Sequence, residues 1–219
     1  MKLTDLFRKK EKQPLKVEFN KEGWDAIDRE FLRVYPGQTS PLHYMTLVKW
    51  KFGGNDPLDG VSVYDGGTYW HFVSYGLSEL YDKESDNPEV SGYGYELTFK
   101  LKKDAYEDEQ AEIKNIVGIM QMVARLTFAK GEIFRPDEYL YTGQAEGTDA
   151  FQKSKLTGFI TIADPTVNTI DTPNGKVEFL ELVGCTDAEL KTLSDRASVR
   201  SLMERIGSDV TDYRRASVV

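Results

Sequence analysis

Two histidines, His43 and His71, and one cysteine, Cys185, are all the imidazole and thiol chemistry in the chain. Both histidines fall inside strand-like runs. A zinc site needs three or four ligands from His, Cys or carboxylate side chains, and neither an HExxH nor a paired-His spacing is present. His71 has the right type for a general base, with Asp59, Asp65 or Glu96 as the carboxylate that would orient it. The competing reading is a half-buried strand histidine with satisfied ring nitrogens. There is no GxSxG elbow, P-loop or dinucleotide fingerprint. Gly92-Tyr93-Gly94 opens no helix that would hold an anion, and strand-permissive glycines account for it. Cys185 stands at a strand-to-helix junction, where a helix N-terminus lowers a thiol pKa; with no histidine near it in sequence, it reads as a small buried thiol. The expectation is a protein that is no enzyme and takes neither metal nor cofactor.

Recognition chemistry is better represented. From Tyr69 to Lys103 the chain mixes tyrosines with carboxylates: Tyr69, Tyr75, Tyr81, Asp82, Glu84, Asp86, Tyr93 and Glu96. Tyrosine gives a large contact area at low entropic cost, and carboxylates capture Lys or Arg. The candidate partner contacts are Tyr69, Tyr81, Asp82, Glu84 and Glu96. An exposed strand edge in this stretch would also accept an added peptide strand. The plain alternative is a half-exposed sheet with a solvated loop.

Patterning names the elements that must hold these residues. After a possible KVEF strand, Asn20 is placed to cap a helix through Tyr35, with Trp24, Ile27, Phe31, Val34 and Tyr35 on one face. LHYMTLVKWKF (42–52) reads as one strand, buried on both faces at first and solvated later. GGNDPLDG (53–60) is a turn cluster, VSVYD a strand, Gly66-Gly67 a hairpin turn and YWHFVSY the returning strand. The polar run from Gly76 to Gly92 reads as a surface loop. Beyond it Tyr93, Tyr95, Leu97, Phe99 and Leu101 face one way; Glu96, Thr98, Lys100 and Lys102 face the other, a side expected to be partly wet.

The clearest helix follows, acidic at its start and closed by Lys130-Gly131, with an apolar stripe so wide that cover on several sides is expected. Residues 131–154 look irregular. LTGFITIA (156–163) and KVEFLELVG are strands, with a hairpin turn over Thr172–Gly175. Thr186 to Glu189 forms a capping box. Ser198 is the expected cap of a helix ending at Gly207, and the tail is a candidate edge strand. The fold class is mixed α+β: a mostly antiparallel, mixed β-sheet flanked by helices in a single domain. A basic arm (1–16), a domain (17–215) and a short tail (216–219) complete the expected organisation.

Composition bounds the partner. With 36 acidic and 28 basic residues the formal charge is −8, the wrong sign for a phosphate-binding surface and the right one for meeting a basic protein. No apolar run approaches the ~20 residues of a membrane span. The start, MKLTDLFRKKEKQPLK, lacks the apolar core of a signal peptide. A single cysteine excludes an internal disulfide and fits a reducing cytoplasm.

Four strings carry a resemblance. GGNDPLDGVSVYD, WHFVSYGLSELY, SGYGYELTFKLKK and TPNGKVEFLELVGCTDAEL, in order from about Pro41 to Glu189, resemble the Suppressor of fused domain, and the closing TDYRR resembles the family's end. The resemblance implies a non-enzymatic α/β domain. In animals this domain is the N-terminal half of a two-domain protein that clamps a transcription-factor peptide as an added strand. This chain has no length for a second half, and it reads LYDK (80–83) where the animal pattern reads LYGD. Transcription-factor capture is therefore not carried over. Stand-alone bacterial-type members are similar in length, and many are regarded as immunity proteins. The resemblance thus implies a cytoplasmic protein-binding module that neutralises a toxin domain, alternatively a regulatory or scaffolding protein that captures an extended peptide.

Overall fold

The chain's structure, a computed structural model, describes residues 20–219 apart from Ala105 and Thr142; the expected basic arm and the KVEF strand lie outside the described residues. In chain order the elements are α1 (Glu22–Val34), β1 (Leu42–Met45), β2 (Gly60–Asp65), β3 (Tyr69–Tyr75), β4 (Val90–Lys102), α2 (Glu109–Lys130), β5 (Tyr139–Leu140), β6 (Leu156–Ala163), β7 (Ile170–Thr172), β8 (Gly175–Thr186), α3 (Asp187–Leu190) and α4 (Arg196–Ile206). The strands form one sheet in the order β1-β2-β3-β4-β8-β6-β5, with β7 pairing the start of β8. Sequential hairpins make most neighbours antiparallel, and β4 beside β8 is parallel.

Alternation along β4 divides the molecule. Tyr95, Leu97, Phe99 and Leu101 enter a core completed by α2 through Ile113, Ile116, Met120, Val123 and Ala124. Helix α2 starts where Asp108 accepts a hydrogen bond from the Ala111 amide, and it stops at Gly131, whose left-handed φ of 72° suits glycine. On the opposite face, α1 buries Ile27, Phe31 and Tyr35 against Tyr64, Val73, Tyr75 and Phe179. Helices α3 and α4 cover Ile160, Val183 and Cys185 further along the same sheet. Both sheet faces are therefore covered, and the mixed α+β expectation holds.

Several expectations are corrected. The 42–52 run is not one strand: β1 ends at Met45, a 3-10 turn follows at Trp50–Phe52, and Gly53 reverses the chain with φ 86°. The sheet edge is the reason, because β2 begins only at Gly60 and residues 46–52 have no strand to pair with. Apolar side chains there turn outward, leaving Leu47 100% and Phe52 73% exposed. Helix α2 is covered over one broad face rather than on several sides, since Met122 is exposed. The side of β4 expected to be partly wet is buried at Glu96, Thr98 and Lys100, because α1 and the 164–179 region close over it. Asn20 does accept from the Glu22 amide, but Lys21 holds the cap position. Asp195, not Ser198, caps α4; Ser198 is the reciprocal partner three residues on. The tail meets the sheet at an isolated bridge between Thr211 and Leu101, backed by ion pairs from Asp209, Asp212 and Arg215 to Lys100, Lys102 and Glu189, rather than as an edge strand, and the region expected to be irregular contains β5.

Candidate partner-binding site

A recess of about 470 Å³ opens between the 49–59 segment and the loop that leaves β3. Trp50, Leu77, Tyr93 and Phe128 contribute to its lining, and Tyr81, Asp82 and Glu84 stand along one side. The aromatic part is ordered by edge contacts: Phe128 on α2 meets Trp50 at 5.8 Å and Tyr93 at 5.1 Å between ring centroids. Across the recess the Lys49 amine donates to Asp59 Oδ2 and to the Tyr81 hydroxyl, both at 2.6 Å, and that hydroxyl lies 2.9 Å from the same carboxylate. Burial pulls the Lys49 pKa down, but Asp59 and Tyr81 outweigh it and the net direction is up. The Lys49 amine also lies 4.1 Å from the centre of the Tyr81 ring. The exposed 47–52 segment is thereby tied to the loop opposite.

That loop, residues 76–92, is shaped by two carboxylates. Glu79 accepts from the amides of Glu84, Ser85 and Gly92 and from the Lys83 amine. Burial alone would push its pKa up; these donors, Lys83 first, carry it down to about 2. Lys83, which with Asp82 departs from the LYGD pattern, also donates to the carbonyls of Val90 at 2.6 Å and Asn174 at 2.8 Å. Its charge is spent inside the loop. Asn174 donates in turn to the carbonyls of Glu79 and Tyr81, and Asn20 reaches Tyr81 and Asp82 from the start of α1.

The second carboxylate is Glu96, and it corrects the sequence reading. It is fully buried and offers a partner nothing directly. Its side chain accepts from Ser74 Oγ at 2.5 Å, Ser78 Oγ at 2.6 Å, and the amides of Gly76 and Ser78 at 2.9 Å each. Burial pushes its pKa up to about 7 against those hydrogen bonds. Tyr69 is set apart as well: it pairs with Lys102 at the far end of β3, whereas Tyr75 pairs with Gly60 at the recess end. A strand of that length puts them roughly 20 Å apart. Of the five candidates, the structure brings Tyr81, Asp82 and Glu84 to one site, sets Glu96 beneath it and leaves Tyr69 elsewhere. Sequence reasoning missed Lys49, Asp59, Trp50 and Phe128, whose meeting depends on how the edge segment folds back.

His71 belongs to a different constellation. It is fully buried, and its ring bonds Asp164 Oδ2 at 2.8 Å and the Tyr35 hydroxyl at 2.7 Å, not Asp59, Asp65 or Glu96. Lys100 joins Asp164, Glu181 and Asp209 at 2.9, 2.7 and 2.6 Å. Burial lowers the His71 pKa, so the ring is neutral; its Nε2–H donates to Asp164 and its Nδ1 accepts from Tyr35. Asp164 is held low by His71 and Lys100 in spite of its burial, while burial and Asp164 push Glu181 well up. A neutral imidazole sealed from solvent reaches no substrate. This group fastens α1, the sheet and the 209 region to one another. Cys185 is buried too, its thiol pushed up to about 12 by desolvation.

Among the described residues no cluster of His, Cys, Asp and Glu is arranged to hold a metal, and no helix is long and apolar enough to cross a membrane.

The family model described as Suppressor of fused protein matches residues 54–216. The human Suppressor of fused homolog is 33% identical over 184 residues, covering 77% of this chain and 36% of the relative, and the mouse homolog matches with the same figures. The chain thus spans about a third of the length of these curated relatives. Among solved structures, the Sufu–Fu complex superposes with a TM-score of 0.78 at 30% identity, covering 91% of this chain and 93% of the other. Drosophila Suppressor of Fused gives 0.78 at 31% identity over 91% of this chain and 52% of the other. A SUFU homolog from Neisseria gonorrhoeae shares the fold, with a TM-score of 0.58 at 14% identity over 92% and 97% of the two chains. Pattern, fold and comparison converge: this chain belongs to the Suppressor of fused protein family.

Proposed function

We propose that the chain is a non-enzymatic, cytoplasmic protein-binding module that takes a segment of its partner into the recess beside Tyr81. The observation that carries this reading is the recess itself: aromatic walls, carboxylates at the side, and an apolar segment left in water next to it. Anchors of this kind dominate protein interfaces, since aromatic pockets supply desolvation energy and peripheral charges supply selectivity. Asp82 and Glu84 favour a partner segment that sets Lys or Arg beside an apolar or aromatic side chain. A solved relative in complex with Fu supports protein binding in this family.

Two finer forms of the reading are separable. Capture of an extended peptide is favoured by β1, a sheet-edge strand with Leu42 and Met45 exposed. Neutralisation of a basic toxin domain, the immunity role, is favoured by the charge of −8. Affinity capture with the wild type and with an Asp82→Lys/Glu84→Lys variant tests the placement. The expected result is one stoichiometric partner that the variant loses. Equal capture by both proteins would remove Asp82 and Glu84 from the interface. A partner that binds only when folded selects the toxin form, and one replaceable by a short synthetic segment selects peptide capture.

A further inference from the structure

We propose that Glu96 is the positioning residue of this recess: a carboxylate out of any partner's reach that sets the wall the partner meets. The inference rests on the recess being the binding site, and its geometry stands on separate observations. All four hydrogen bonds to Glu96 come from residues 74–78, and Gly76 and Ser78 are lining residues. Drawing both amides down to one buried carboxylate fixes the chain path through Leu77 between them. The Leu77 carbonyl then accepts from the Tyr93 amide at 2.9 Å, which places the aromatic ring on the adjoining wall. The amide of Asp59, the residue bonded to Tyr81 and Lys49, donates to the Tyr75 carbonyl at 2.7 Å, one residue before Gly76.

Two glycines of the arrangement have no room for a side chain. Gly76 has φ +134°, and a Cβ there would sit 2.9 Å from the Asp59 amide nitrogen. A Cβ on Gly92 would sit 2.7 Å from the Leu77 carbonyl oxygen. The amides of Gly76 and Ser78 are thus taken up by Glu96. Among the described residues no lysine or arginine bonds Glu96; its donors are two hydroxyls and two amides from the end of β3 and the start of the loop.

The test is NMR of the free, isotope-labelled protein, wild type against Glu96→Gln and Glu96→Ala. In the wild type the Glu96 side-chain carbonyl and the Gly76 and Ser78 amides should titrate together with one midpoint. In Glu96→Gln the amide oxygen still accepts three bonds and its NH2 donates to Ser74, so the 76–93 resonances should stay in place while the titration disappears. In Glu96→Ala those amides should exchange about tenfold faster, the loss of one hydrogen bond, and the Trp50 indole and Tyr93 amide signals should move. Unchanged 76–93 resonances in folded Glu96→Ala would overturn the proposal. If that variant does not fold, persistence of the Gly76 and Ser78 titration in Glu96→Gln would overturn it instead. No partner enters these readings, so their failure leaves the recess standing as a binding site. Equal capture by the Asp82→Lys/Glu84→Lys protein would displace that site and leave the Glu96 geometry intact.

Discussion

At the scale of single residues, two glutamates under one loop show how partners decide an ionisation. Glu79 gathers three amides and an ammonium and stays ionised down to about 2, whereas Glu96 has hydroxyls and amides but no cation and titrates near 7. The consequences for stability have opposite signs. Glu79 contributes above the ordinary glutamate value of 4.5, and its share is lost as pH falls toward 2. Glu96 keeps a proton that the unfolded chain has released, so stability falls as pH rises from 4.5 toward 7. The Glu96 effect amounts to a few kcal/mol at ~1.4 kcal/mol per pH unit. Urea denaturation at pH 5 and pH 7.5 should show this loss in the wild type and little of it in Glu96→Gln; equal slopes in the two would show that Glu96 titrates at its ordinary value. Tyr81→Phe removes one hydroxyl shared by Lys49 and Asp59 and should cost about 1 kcal/mol in the same assay.

Elements were legible in proportion to how local their cause is. The hairpin at Gly66-Gly67, the bounds of β6 and the capping box of Thr186 and Glu189 depend on a few adjacent residues, and the structure reproduces them. Asp195 and Ser198 form a comparable box; the sequence reading gave the cap to the wrong member because both residue types suit it. Asp195→Ala removes the cap of α4 and should lower the urea midpoint. Alternation showed that Glu96, Thr98 and Lys100 share a face, but it could not show that α1 covers that face. Lys100 meets Asp164 and Glu181 at separations of 64 and 81 residues, beyond any local pattern. Removing the amine strands those buried acids, so Lys100→Met should cost about 3–5 kcal/mol, read from urea midpoints. A loss below 1 kcal/mol would mean the carboxylates simply take up protons. The recess was legible only in part: Tyr81, Asp82 and Glu84 stood out as tyrosine-carboxylate chemistry, whereas Trp50 was assigned to a strand that the sheet edge cannot support.

For the whole molecule, the exposed large apolar side chains are concentrated in one stretch of sequence, residues 42–52. Met45, Leu47, Val48 and Phe52 are 65, 100, 52 and 73% exposed, beside a recess that Lys49, Trp50 and Lys51 help to line. Exposed groups of this kind add little to folding, so Leu47→Lys/Phe52→Lys should leave the thermal midpoint unchanged while weakening partner capture. With a net charge of −8, association should also slow as salt rises. The most direct test of the account is photocrosslinking, with a benzoylphenylalanine placed at Glu84 beside the recess or at Tyr69 on the far end of β3. A partner crosslinked from position 84 and not from 69 is the predicted result. Crosslinking from 69 alone, with the partner still captured, would contradict it and move the binding surface to the opposite end of the sheet.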